Sequence, residues 1–171
     1  MMTAKTVYNE AALSLLAKIS VRKDRLQCYA LSGALFFAGL LFNILTLHSI
    51  WYHLLVLVLC LLYLLRPRFY YKKLLKRYLT REKELFPSPR TIVSTFDGEQ
   101  IISHTLNNNS TLAIAYSAVT TLYESRDYLL LMTEGKQGLP VEKNKITGGN
   151  AQELTTFLKE KIPSLKYTKI G

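Results

Sequence analysis

Residues 26–65 read LQCYALSGALFFAGLLFNILTLHSIWYHLLVLVLCLLYLL and contain no Lys, Arg, Asp or Glu. A membrane span needs roughly 20 apolar residues to cross a hydrocarbon core of about 30 Å, so this run suffices for two crossings. One continuous helix over it would rise about 60 Å, twice what a bilayer asks. The polar break Thr46-Leu47-His48-Ser49, followed by Trp51, Tyr52 and His53, divides the run, and Trp and Tyr favour the headgroup level. The reading is a transmembrane hairpin over 26–65, with spans at about 27–47 and 50–65. The second span is short and uses Trp51, Tyr52 and His53 as its interfacial end.

Charge orients the hairpin. Lys5, Lys18, Arg22, Lys23 and Arg25 precede it; Arg66, Arg68, Lys72, Lys73, Lys76, Arg77, Arg81 and Lys83 follow it, and the turn has no cation. The positive-inside rule then puts both termini in the cytoplasm. The net charge of +10 is unevenly distributed: residues 1–28 carry +3, residues 66–90 carry +7, and residues 91–171 balance to zero. The basic average therefore belongs to the membrane flanks, and no basic face is left in the remainder to bind nucleic acid.

After the hairpin, the apolar residues Tyr71, Leu74, Leu75, Tyr78, Leu79 and Leu85 follow helical spacing with cations between them. Residues 66–87 thus read as a basic juxtamembrane helix, with Pro67 in its first turn, where a missing N–H costs nothing. Its eight cations, Arg66 to Lys83 as named above, are the candidate contact for anionic lipid headgroups, each worth roughly 1 kcal/mol near such a surface. Asn43, polar in mid-span, is the candidate hydrogen-bonding group between helices, within the hairpin or in a homo-oligomer, worth about 0.6–2 kcal/mol. Cys28 and Cys60 lie in or beside the spans and read as free, small hydrophobes.

Before the hairpin, residues 1–25 form a cytoplasmic amphipathic segment: Ala11, Ala12, Leu15, Leu16 and Ile19 recur at helical spacing, with Asn9 as a cap. A cleavable signal would place its apolar core earlier and follow it with no second span.

From residue 88 the period changes. The runs 91–96 (TIVSTF), 100–106 (QIISHTL), 111–116 (TLAIAY), 118–124 (AVTTLYE), 128–133 (YLLLMT) and 138–141 are short, rich in β-branched and aromatic residues, and parted by turn residues. Asp97-Gly98 reads as a hairpin turn in which glycine supplies positive φ. A helix follows, started by Asn150 and Glu153, with Leu154, Phe157, Leu158 and Ile162 on one face and Pro163 as its stop. Residues 88–171 therefore read as an antiparallel meander of five or six strands closed by one C-terminal helix, the order of a pleckstrin-homology-like domain.

The two spans, the basic linker, the tracts TIVSTFDGEQIISHTL and AIAYSAVTTLYESRDYLLLMTEG, and GLPVEKNKI before the last helix together resemble the YcxB-like family of bacterial membrane proteins, over residues 26–162. Tyr116 and Ser117 match the family's aromatic and Ser before a strand. Pro140 matches its proline, although Val141 and Glu142 stand where a basic residue usually follows. The resemblance implies a multi-pass protein of the bacterial cell membrane with a small cytoplasmic pleckstrin-homology-like domain, and brings no catalytic residues with it.

The residues agree. His104 is the only histidine after the hairpin and has no second His or Cys at zinc spacing. The carboxylates lie mostly in turns, and Gly148-Gly149 lacks the phosphate-loop frame. No enzyme, cofactor or metal site is expected. The function expected is a membrane-anchored, non-enzymatic binding domain acting through a protein partner or self-association. Two alternatives stay open: a subunit of a transport or export complex, or an immunity-type membrane protein, in which the hairpin does the work; and an anionic-lipid sensor acting through the juxtamembrane helix.

Overall fold

The computed structural model describes residues 1–45, 50–135 and 137–170. Its elements run β1 (Met2–Val7), α1 (Glu10–Ser20), α2 (Arg22–Leu45), α3 (Ile50–Leu85), β2 (Thr91–Phe96), β3 (Gln100–Thr105), β4 (Ser110–Ala115), β5 (Val119–Glu124), β6 (Tyr128–Thr133), β7 (Gly138–Glu142), β8 (Ile146–Thr147), α4 (Ala151–Lys161) and β9 (Lys166–Lys169). They form two compact units, Ala17–Leu79 and Met1–Leu16 with the chain from Thr80 onward.

The second of these is built on two sheets, ordered β4-β3-β2-β1-β8 and β7-β6-β5-β9. Between them lies an apolar core that includes Phe96, Ile101, Val119, Leu122, Leu129, Leu131 and Val141, closed by Leu154, Leu158 and Ile162 from α4 and its end. Asn150 caps α4 as its sequence requires, its Oδ1 accepting from the Gln152 and Glu153 amides at 2.9 Å each. Tyr116, in a 3₁₀ turn between β4 and β5, donates its hydroxyl to the Asp97 carbonyl at 2.6 Å and so ties that turn to the β2–β3 connection.

The amphipathic helix expected near the N-terminus is found, and a strand that the sequence reading did not assign precedes it. Met2–Val7 is a strand in the interior of the first sheet, paired with β2 on one side and β8 on the other. Its alternation is short but real: Ala4 and Thr6 point inward and are buried, and Lys5 between them is exposed. Three residues facing inward are too few for periodicity to reveal; the partner strand decides. The helix runs Glu10–Ser20, as its cap predicts: the Asn9 side chain accepts from the Ala12 amide at 3.0 Å.

That helix docks on the second sheet. β6 is buried on both sides, Leu129 and Leu131 facing the core and Leu130 the other way. On the outer side Leu16 of α1 packs over Gly138, where an added Cβ would come within 2.2 Å of Leu16 Cδ2 and 3.2 Å of Leu130 Cδ1. The Tyr128 hydroxyl reaches the Asn9 side chain at 3.3 Å.

The sheets hold more strands than the five or six expected. β8 has two residues and β9 reads KYTK, too short and too polar to show alternation. β9 follows Pro163 and runs parallel to β5, so the domain is not a pure antiparallel meander. The β2–β3 connection is a hairpin turn, but Gly98 does not supply the positive φ expected of it. Among the described residues, Asn109 (φ 54°) and Gly148 (φ 78°) do. At Gly148 a side chain would also meet the Met1 carbonyl oxygen at 2.7 Å.

The other unit is a helix pair. Ser32 Oγ donates to the Cys60 carbonyl at 3.3 Å and Cys60 Sγ to the Ser32 carbonyl at 3.6 Å, which brings the two backbones together. Gly39 lies where a Cβ would meet Val56 at 2.9 Å, and the Phe42 and Tyr52 rings stand 5.0 Å apart. These three contacts run in opposite directions along α2 and α3, so the helices are antiparallel neighbours. The boundaries differ from those expected: α2 is Arg22–Leu45, and α3 continues unbroken from Ile50 through Pro67 to Leu85, joining the second span and the juxtamembrane helix into one. A proline inside a helix gives up one hydrogen bond and strains the turn before it, and the leucines, lysines and arginines on both sides favour helix enough to carry the chain past it. The turn residues 46–49 lie outside the described residues.

Two stretches are long and apolar enough to cross a membrane, with mean hydropathies of 1.4 and 1.6, and only 17% and 11% of their most apolar windows is buried. A core helix of comparable hydropathy would be mostly covered by protein.

Candidate functional site

The eight cations named as the lipid contact, Arg66, Arg68, Lys72, Lys73, Lys76, Arg77, Arg81 and Lys83, all lie on α3 and are all exposed. Six stand in the helix-pair unit, and Arg81 and Lys83 in the other. Tyr71, Leu74, Leu75, Tyr78 and Leu79 are half-buried between them, the amphipathic division that their spacing requires. Among the described residues none of the eight forms an ion pair, so their charge is available to an anionic surface.

Arg90 behaves otherwise, and sequence reasoning missed it. Its Nε donates to Glu82 Oε1 at 3.0 Å, and its guanidinium lies 4.1 Å from the centre of the Tyr8 ring and 5.3 Å from that of Phe86. Its carbonyl accepts from the Tyr8 amide at 2.8 Å. The residue thus fastens the end of α3, the end of β1 and the entry to β2. Burial pushes the Tyr8 phenol up to about 12, partly offset by the Arg90 charge. The only signal in the sequence is a cation set beyond Pro87 and Pro89, away from the helical row.

A second fastening closes the opposite end of the chain. Glu124 Oε1 accepts from Lys143 Nζ at 2.6 Å, and its other oxygen accepts from the Tyr167 hydroxyl. The hydrogen bond from Lys143, then that from Tyr167, hold the Glu124 carboxyl below the usual carboxylate range. Lys159 Nζ sits 3.9 Å from the Tyr167 ring centre, and the Ile170 amide donates to the Glu124 carbonyl at 2.7 Å. Glu124, the last residue of the strand run expected over 118–124, ends β5 and anchors β9.

The remaining candidates are simple. His104 is half-buried on β3, its Nδ1 3.1 Å from Thr111 Oγ1. Cys28 and Cys60 are free thiols. Asn43 lies on α2, and its side chain, like all of His48, lies outside the described residues. Along one side of the helix pair an apolar groove of ≈480 Å³ is lined by Phe36, Gly39, Leu40, Val56, Cys60 and Leu64, among others.

No curated protein matches the chain. The family model described as YcxB-like protein matches residues 96–158, from the last residue of β2 into α4. The match leaves out both long apolar helices, which the resemblance read from the sequence had included. The stretch similar to that family thus holds β3 to β8 and most of α4.

Proposed function

We propose that the chain is a membrane-anchored, non-enzymatic protein of the bacterial cytoplasmic membrane that presents a small pleckstrin-homology-like cytoplasmic domain for protein interaction, self-association included. The observation that carries this reading is the pairing of β1 with β2, Met2 opposite Phe96 through Val7 opposite Thr91. These strands flank the two apolar helices in the chain yet are neighbours in one sheet, so whatever the helices cross, the chain returns to the side it left. Two crossings satisfy that, and the placement of cations on both outer flanks and none in the turn favours the cytoplasm as that side.

The order β1-β2-β3-β4 in one sheet, β5-β6-β7 in the other, and then a helix supports the pleckstrin-homology-like reading, with the hairpin carried in the β1–β2 connection. The unpaired, exposed cations of α3 support anionic lipid headgroups as a second contact.

Replacing residues 26–65 by an unrelated two-span hairpin tests the reading. Partners captured equally by both proteins assign binding to the β domain. Their loss with the exchanged hairpin would move the function into the membrane, as in a transport or export subunit. Flotation with anionic and neutral vesicles tests the lipid contact: a salt-sensitive preference for the anionic ones is expected.

A further inference from the structure

We infer that β4 is the self-association surface: two copies of the chain pair edge to edge through it, antiparallel, with Leu112 opposite its own copy. This rests on the binding-domain reading above and names its surface and partner. An unpaired strand edge is a template for another strand, and proteins blunt such edges with shortness, proline, lysine or cover. Three of the four edges here are blunted. β8 has two residues. β7 carries Pro140, and its Glu142 amide is taken by Thr6 Oγ1 at 3.1 Å. β9 has Lys166 and Lys169 at its ends, both exposed.

β4 has none of these devices. It is six residues long, STLAIA, and exposed everywhere except Ile114. Residues 100–123, which contain it, hold no charged side chain, in a chain with net charge +10. Two copies of a domain whose residues 91–171 have zero net charge meet through such a tract with no like charges opposed, and an uncharged strand offers nothing to select a charged partner. Leu112 shares the inward face with Ile114 but is 52% exposed. Residues directly opposite in an antiparallel pair project to the same side, so a two-fold must pass through a residue. Centred on Leu112, it covers that side chain with its own copy.

The test uses the full chain in native membranes with Cys28→Ala and Cys60→Ala. Leu112→Cys should cross-link on mild oxidation, because opposed Cα atoms stand about 4.5–5.5 Å apart, within disulfide reach. Ser110→Cys should not, its copies being roughly 13 Å apart at about 3.3 Å per residue. In the purified full chain, Leu112→Lys should raise the dimer dissociation constant at least tenfold. Equal cross-linking at both positions would overturn the assigned pairing. A dimer by mass that Leu112→Lys leaves intact and Leu112→Cys does not trap would overturn β4 as the surface while leaving self-association standing. A monomer under all conditions would overturn both.

Discussion

The two units dispose of apolar side chains in opposite ways. In the β domain the large ones turn inward: Phe96, Leu122, Leu129, Leu130 and Leu131 are all essentially buried. In the helix pair they turn outward, and Phe36, Phe37, Leu41, Leu57 and Leu62 are each more than half exposed. The contacts between the helices include small residues and polar atoms, at Ser32, Gly39 and Cys60. Helices that associate in lipid gain nothing from hiding leucine, and rely on close approach and hydrogen bonds instead. Large apolar side chains are thus buried in one unit and left exposed in the other.

The largest test of that contrast is Phe96→Ala. It should cost the β domain about 3–5 kcal/mol, as truncations of fully buried aromatics do. Amide hydrogen exchange should rise throughout both sheets and stay unchanged in α2 and α3. Next comes Gly138→Ala, which drives a methyl group into Leu16 and should cost roughly 1–3 kcal/mol. Leu16→Ala should recover part of that loss, and a double-mutant cycle would show the coupling. Asn150→Ala removes the α4 cap for about 1 kcal/mol, seen as faster exchange at Gln152 and Glu153.

A smaller effect, below about 1 kcal/mol at neutral pH, is expected of Glu124→Gln. Because the folded carboxyl lies below its ordinary value of 4.5, its stabilisation is complete above that value and is lost as pH falls beneath it. The variant should show a flatter acid unfolding curve than the parent. Smallest of all is Ser32→Ala, at about 0.6 kcal/mol, read in the helix pair alone from its unfolding in detergent.

What could be read in advance tracks how local each cause is. Six strands of the β domain, the Asn150 cap and the apolar face of α4 each follow from neighbours in sequence, and each is found. β1 and β9 depend on partners far along the chain, β2 for one and β5 for the other, so no local pattern reveals them. Arg90 was hidden for the same reason: its neighbours Tyr8 and Glu82 come from different elements. The eight cations of α3 were legible because helical spacing alone sorts them from Tyr71, Leu74 and Leu75. Pro67 misled because its penalty is local, whereas the helix around it is sustained by many residues.

In the proposed architecture two membrane crossings are inserted between the first and second strands of a cytoplasmic domain. Labelling with a membrane-impermeant maleimide tests it most directly, in intact cells and with Cys28→Ala and Cys60→Ala as background. Trp51→Cys, beside the turn and 78% exposed, should be labelled from outside. Glu10→Cys and Glu99→Cys, exposed in the β domain before and after the helices, should label only after permeabilisation. Labelling of either from outside, or protection of Trp51→Cys, would contradict the account.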